Sequence, residues 1–486
     1  MDTQRWQWTA LAMAAAWATA AAARASPPTL QDQIDQLRDE IAAAESANAV
    51  VRDELDQAQL EVQNEWLSAE RAEQIGVLVN DVLADAEMRG SLTGDGVMMG
   101  WSEGFFLASA DGRYGFTING LMQTRFIGNW VDSPVDDPNA VPDEWRYGFE
   151  VTRTRLDFGG HIGRRGLQFL VQTGYGRLDP DNLTNDSHTM AGRVWDAWIR
   201  TRLSDSVAVT MGIFKLPFTR ESLVAASAQL AIEKTTIDHR LGLGRSQGVE
   251  LTWASPDRRV FVAFSSGSTA LFHNAIFGQP SPVPPWAALE SDVEYAVTMR
   301  HEWKLGGSWD QFNQFTAPLG TTPGVLIGLA GHMQHTERDN GVPPPAGLPK
   351  GRYMAATIDA TLQFDGASAY IGIIAQRVRD FSVDVPEVNW FGMVLQASTY
   401  LTNRDEVFLR WEAGGSDAAE FNGKDLSIMT AGVNHYLDGQ DLKFSADVGF
   451  SFGDVDQVFV MPQAGTQPDT HHGGQLIFRT QFQLAF

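Results

Sequence analysis

Arginines recur along this chain in a pattern that could handle anions. Arg125, Arg153, Arg155, Arg200, Arg202, Arg300 and Arg410, with Lys443, each sit where polar and apolar residues alternate, and each falls on the polar side. A guanidinium presents a planar fork of N–H donors to two oxygens of a carboxylate or phosphate, and a ring of such groups draws anions by its summed field. Arg153 and Arg155 lie two residues apart, and Arg125 falls on what the pattern makes the neighbouring strand, so these three form the candidate anion-binding cluster. Asp157, Asp196, Glu250, Asp359, Glu412 and Asp447 share that polar side. Salt-bridged pairing is therefore the competing explanation for most of these arginines.

Other chemistries find little support. His471 and His472 are adjacent but have no third ligand at a metal-site spacing. The stretch GLGRSQG at 242–248 lacks the spacing of a phosphate-binding loop. Asp179, Asp181 and Asp186 lack the central glycine and closing glutamate of a calcium loop. No Ser-His-Asp arrangement is readable. The expectation is a protein that is not an enzyme and uses no cofactor or metal.

The elements that carry the arginines repeat every second residue. In the final stretch GQLIFRTQFQLAF, Leu476, Phe478, Phe482 and Leu484 share one face, while Arg479, Gln481, Gln483 and Ala485 share the other. Period two makes this a strand. Similar stretches recur from Asp111 to Phe486, about sixteen in all, an even number as single-chain membrane barrels require. Short turns such as Asp365-Gly366 and Asp438-Gly439 alternate with long polar loops such as 131–147, 176–190, 215–247 and 451–474. Strict short-long alternation belongs to membrane barrels, and a soluble sandwich has no reason to obey it. The segment 304–324 breaks the rule, being long where a short turn is due; it is either an excursion on the short-turn side or a missed strand pair.

Of 486 residues, 43 % are hydrophobic, and no run beyond the first residues approaches the ~20 that a spanning helix needs. A helical membrane bundle is excluded. Residues 9–23 are apolar, follow Arg5 and end in Ala23-Arg24-Ala25, so 1–25 reads as a secretory signal. The chain has no cysteine, hence no disulfide, and size must supply stability. A net charge of −24 argues against nucleic acid as partner. Between 26 and 89, Leu30, Ile34, Leu37, Ile41, Ala44, Asn48, Val51 and Leu55 recur at alternating spacings of four and three. This is an α-helical coiled coil, with Asn48 at an a-type position; a single amphipathic helix packed on its own domain is the plainer reading. Glycines mark 90–110 as linker, and 111–486 forms an all-β transmembrane barrel of about sixteen antiparallel strands.

The stretches DGRYGFTINGLMQTRF, RTRLDFGGHI, DAWIRTRL, MGIFKLPFTRESLVAASAQL, GVNHYL and FRTQFQLAF are similar to those of the phosphate-selective porin O and P family. The resemblance spans most of 111–486 and leaves the coiled coil outside it. It implies a sixteen-stranded trimeric outer-membrane barrel that passes anions such as phosphate, with the third loop, 215–247, folded inward as a constriction. That loop carries Lys215, Arg220, Lys234, Arg240 and Arg245 against Glu221, Glu233 and Asp238, a modest basic excess. The resemblance also makes Phe486 the signal read by the barrel assembly machinery.

Two functions compete at this stage. One is a passive outer-membrane porin for small hydrophilic solutes, anionic or neutral. The other is an envelope tether, in which the periplasmic coiled coil links a barrel anchored in outer-membrane lipid to the cell wall.

Overall fold

A computed structural model describes residues 97–486 apart from 102–103, 132–143, 164–165, 176–192, 269–292, 337–350, 381–386, 418–425, 454, 456–458, 460, 462–463 and 467–473. The signal segment, the coiled coil with Asn48, His471-His472 and the three aspartates of 179–186 all lie outside the described residues.

Sixteen strands close on themselves. Four antiparallel strand pairs, three joined by short turns and the fourth by the long connector 307–323, cover the first half after the opening strand β3 (Tyr114–Val131): β4 (Glu144–Ile162) with β5 (Leu167–Tyr175), β6 (Arg193–Arg202) with β7 (Val207–Lys215), β8 (Arg245–Ala254) with β9 (Arg258–Ser265), and β10 (Val293–Gly306) with β11 (Gly324–Thr336). The second half continues with β12 (Gly351–Phe364) and β13 (Ala367–Asp380), β14 (Val388–Tyr400) and β15 (Asp405–Ser416), β16 (Leu426–Asp438) and β17 (Leu442–Ser451), and ends at β18 (Gln475–Ala485). Each strand pairs antiparallel with the next, and β18 returns to β3 from Gln475↔Val131 to Ala485↔Leu121. No strand pair hides in 307–323; the segment is a connector with one 3-10 turn, Gln311–Asn313.

The alternation is inverted relative to a soluble sheet. Along β12, Met354, Ile358 and Leu362 point outward and are exposed, while Thr357, Asp359, Thr361 and Gln363 point inward and are buried. The same inversion runs along β13 to β18, where Ile371, Leu395, Leu409, Val433, Val448 and Phe478 face out. An apolar exterior around a polar interior, with every strand paired and no open edge between β3 and β18, is the arrangement lipid permits. The tight turn at Asp365-Gly366 needs its glycine, since Gly366 sits at φ +71°.

Residues expected as linker contribute two further strands, β1 (Val97–Trp101) and β2 (Phe105–Ser109), which pair as a hairpin. β2 runs along β3 from Phe105↔Ile118 to Ala108↔Gly115, continuing the line of β18 where that strand stops. At the junction Phe486 exchanges both main-chain hydrogen bonds with Gly120, at 2.7 and 3.0 Å. The Phe486 ring stacks on Trp101 with centroids 5.9 Å apart. A Cβ on Gly120 would lie 2.3 Å from that ring, so only glycine fits beneath it.

Two outcomes follow. Ile358→Arg, which puts a charge on the lipid face midway along β12, should destabilise the folded barrel by about 2–4 kcal/mol in urea titrations in lipid vesicles; no loss would contradict the lipid-facing assignment. Deleting Phe486 should lower the heat-modifiable fraction in outer membranes, and an unchanged level would count against its role at the seam and as assembly signal.

Candidate functional site

The third long loop, 215–247, folds into the lumen rather than away from it. Two short helices shape it, α1 (Arg220–Leu223) and α2 (Thr236–Leu241), each opened by a threonine cap: the Thr219 hydroxyl accepts from Ser222 N–H and the Thr235 hydroxyl from Asp238 N–H. Leu216, Phe218, Leu230, Ile237, Leu241 and Leu243 are fully buried in one cluster with Tyr370, Ile374, Trp390 and Val394 of the wall. Gly392 and Gly414 leave room for this contact, since a Cβ on either would come within 2.5 Å of Ile237. Apolar contact thus seats the loop on β13 to β15.

Ionic contacts fasten its other side. Glu233 is the hub: its carboxylate lies 3.1 Å from Arg125 and also pairs with Arg153, and His239 Nε2 sits 3.3 Å away. Arg410 donates to the Glu233 carbonyl at 2.7 Å. Burial pushes the Glu233 carboxyl up, but Arg153, His239 and Arg125 outweigh it and hold the group well below the usual carboxylate range. Its anchoring charge therefore persists as pH falls through that range, where an ordinary carboxylate would be protonated. Lys443 donates to the carbonyls of Ser227 and Gln229 at 2.9 and 3.1 Å. Arg300 holds the Phe218 carbonyl at 2.6 Å while forking onto Asp359 at 2.7 and 3.0 Å. From the opposite direction, Asp447 accepts from Ile232 N–H and Glu412 from Ile237 N–H.

Two other segments fill the same half of the lumen. The connector 307–323 turns inward, burying Phe312, Phe315 and Thr316. Its Phe315 N–H donates to the Ala228 carbonyl at 3.3 Å, and Arg220 of the third loop donates to the Phe312 carbonyl. Gln363 and Gln440 hold it from the wall. Described residues of the last loop, Val455 and Phe459, also join the buried cluster.

A polar pocket lies between the third loop and β4, the end of β7 and the start of β8. Arg153, Arg155, Lys215, Lys234 and Arg245 line it, with Glu233 the single acid among the lining residues. Arg245 is forked onto Asp196 at 2.9 Å, and Lys234 pairs with Asp238 at 2.7 Å. Arg155 and Arg245 lie 5.1 and 5.2 Å from the centre of the Trp195 ring. Arg155 makes no ion pair among the described residues, and its Nε has no hydrogen-bond partner. Lys215 has only long contacts, 3.5 and 3.4 Å, to the Leu223 and Val224 carbonyls. A one-residue irregularity in the β3–β4 ladder, where Gln123 faces Arg153 but Thr124 faces Val151, lets Glu150, Arg153 and Arg155 share the inner face.

The arginines singled out from sequence thus separate. Arg125, Arg153, Arg300, Arg410 and Lys443 hold the third loop, and only Arg153 and Arg155 of the proposed cluster reach the pocket. Arg200 is half-buried on β6, opposite Thr210, which in turn faces Glu250. Arg202 is exposed where that strand ends at its short turn. Of the loop cations, Lys215, Lys234 and Arg245 line the pocket, whereas Arg220 and Arg240 are buried against the wall. Sequence reasoning overlooked Glu233 as hub and the connector as filler. The aromatic Trp195 between two arginines had a legible trace, since it directly precedes Asp196 on a strand already assigned.

The pocket and the loop lie in the stretch that matches a family model: residues 130–271 match phosphate-selective porin O and P. Among solved structures, an anion-selective porin from Comamonas acidovorans superposes with a TM-score of 0.50 at 12 % identity, over 77 % of this chain and all of that one. The outer-membrane channel DcaP of Acinetobacter baumannii gives 0.46 at 12 %, over 76 % and 97 %, and Salmonella typhi OmpF in complex with daunomycin 0.46 at 10 %, over 80 % and 100 %. No curated protein matches the sequence. The chain folds as a closed β-barrel of the porin type, and the matched stretch spans the third loop.

Glu233→Gln should release Arg125 and Arg153 from their shared counter-charge. Breaking such a buried pair costs about 3–5 kcal/mol, so the loop should loosen. Single-channel current is expected to grow noisier and the zero-current potential to move toward anions; an unchanged trace would refute the hub. Replacing 309–322 by a two-residue Asn-Gly turn should raise single-channel conductance severalfold, because it empties the half of the lumen that the connector fills.

Proposed function

We propose that the protein is a passive outer-membrane porin through which small hydrophilic solutes, anions such as phosphate foremost, diffuse down their gradients. The observation that carries this reading is the pocket lining: five cations around one acid, with Arg155 and Lys215 left without a carboxylate partner among the described residues. A fixed positive field in a narrow, low-dielectric passage concentrates anions and repels cations. The guanidinium of Arg155 and the amine of Lys215 keep N–H donors free for an oxyanion, whereas Arg245 and Lys234 are partly neutralised by Asp196 and Asp238. The Comamonas barrel of similar fold is described as anion-selective, which agrees with this reading.

The homotrimer, recognition of Phe486 by the assembly machinery and the pore-lining roles of Arg200 and Arg202 belong to the same proposal. They rest on the resemblance and on strand parity. The tether reading has no described residue in its favour.

The test is the zero-current potential across a planar bilayer under a potassium chloride gradient, for the wild type, Arg155→Gln and Lys215→Gln. Anion selectivity in the wild type, reduced in each variant, and a fall in chloride conductance on adding phosphate are expected. Cation selectivity in the wild type would defeat the anion claim.

A further inference from the structure

The outer face of the second half carries a row of side chains that an apolar surface does not call for. The register joins Tyr295 of β10 to His335 of β11, His335 to Arg352 of β12, and Arg352 to Arg379 of β13, so the four stand side by side on adjacent strands. Alternation fixes their side. Tyr353, Gln376 and Val378 turn inward and are buried, whereas the residues between and beside them, Arg352, Arg377 and Arg379, are exposed on the outer surface.

Their height follows from their neighbours along each strand. The outward face of β12 reads Met354, Ala356, Ile358, Ala360, Leu362 and Phe364, a run as long as the ~9–11 residues with which a tilted strand crosses hydrocarbon. Arg352 is the next outward residue beyond that run, at the strand end that leads to residues 337–350. On β13, Arg377 and Arg379 follow Ile371, Ile373 and Ala375 toward the same end of the barrel. On β10, Tyr295 and Trp303 bracket the apolar band in the manner of the two aromatic girdles of membrane barrels. The row thus lies at the headgroup level of the leaflet on the long-loop side.

Like charges directly opposite on one face of an antiparallel pair destabilise it, and cations bordering hydrocarbon add to the cost. Arg377 pairs with Glu387 and lies close to Asp417, so it adds little net charge; the opposed pair is Arg352 and Arg379. What suits that pair is a partner that brings more than one negative charge to the headgroup level and hydrocarbon to the band beneath. A soluble anion supplies only the first. We propose that the row is a binding site for a multiply anionic lipid of the long-loop leaflet. Its charged oxygens accept from the guanidinium groups of Arg352 and Arg379, and its chains lie over Met354, Ile358 and Ile373. The Tyr295 ring, tilted against His335 with centroids 5.6 Å apart, borders the headgroup. The inference rests on the outer-membrane reading but not on the sign of selectivity, because the row and the pocket at Arg155 occupy opposite surfaces of the barrel wall.

The experiment titrates the purified full-length protein in neutral detergent with bisphosphorylated lipid A and follows bound lipid by native mass spectrometry, with phosphatidylcholine as the neutral lipid and inorganic phosphate as the free anion. The wild type should retain lipid A in preference to phosphatidylcholine. Arg352→Gln and Arg379→Gln should each weaken retention about fivefold, and added salt should weaken it further. Arg404→Gln, which removes an exposed arginine at the short-turn end, should leave it unchanged. If one of the two row variants fails to assemble, the other decides. Equal retention of the two lipids, or lipid A retained in full by an assembled row variant, overturns the site; a loss in Arg404→Gln instead would place the lipid in the other leaflet and overturn it as well. Inorganic phosphate bound by the wild type and lost in the row variants would make the ligand a free anion and overturn the lipid. Insertion into phosphatidylcholine vesicles is scored separately: a protein that stays out of them defeats the outer-membrane reading, whereas one that inserts and ignores lipid A defeats this site alone.

Discussion

Every main-chain N–H and C=O that faces lipid must find its partner within the protein, and this constraint governs the rest of the molecule. It forces the strands to close, so β18 comes back to β3 and no edge is left between them. It also fixes the sense of the side chains. With lipid outside, Ile358 and Leu362 are the residues at home on the surface, and Asp359 and Thr361 must turn inward. A polar interior is thus a consequence of the closure. It provides a wall of donors and acceptors that the chain can fill with its own segments or leave to water and solutes.

This protein largely fills it. The third loop, the connector 307–323 and described parts of the last loop meet inside the barrel, and the wall charges divide into two groups. One group is spent on the fold: Arg300 on Asp359, Arg479 on Asp447, Arg125 and Arg153 on Glu233. Desolvated pairs of this sort add little net stability over an apolar contact, yet removing one partner is severe, so they fix where the loop sits. The other group, Arg155 and Lys215 above all, has no carboxylate partner among the described residues. A charge neutralised at short range contributes almost nothing to the field a solute feels, so anchoring and attraction draw on different residues.

The strand count and the inverted faces were legible because each follows from a short-range rule, whereas the inward third loop came from the resemblance alone. Period two, turn length and the resemblance need no knowledge of distant contacts. The fate of each arginine was not legible. Arg125 and Arg155 look alike in sequence, both on the polar side of a strand, but Arg125 meets Glu233 across 108 residues of chain while Arg155 meets no carboxylate. Such a meeting depends on where a 33-residue loop lands, and that is decided by apolar seating on Gly392 and Gly414, which carry no charge signal at all. The hairpin at 97–109 was hidden for a related reason. Its glycines read as linker, yet Gly100 is there because a Cβ would lie 2.8 Å from the Phe106 ring.

Loop and connector enter from opposite ends of the barrel and meet at a main-chain hydrogen bond, Phe315 N–H to the Ala228 carbonyl, and a side-chain one, the Arg220 guanidinium to the Phe312 carbonyl. Neither could hold its position alone, because each would expose buried phenylalanines or leucines to water. Together they form a partition that Arg300, Arg410 and Lys443 fasten on one side and Arg125 and Arg153 of β3 and β4 on the other, beside the pocket lined by Arg155, Lys215 and Arg245. On the porin reading, which sector the partition covers therefore matters to selectivity as much as the charges themselves, since a solute meets only the side chains left uncovered.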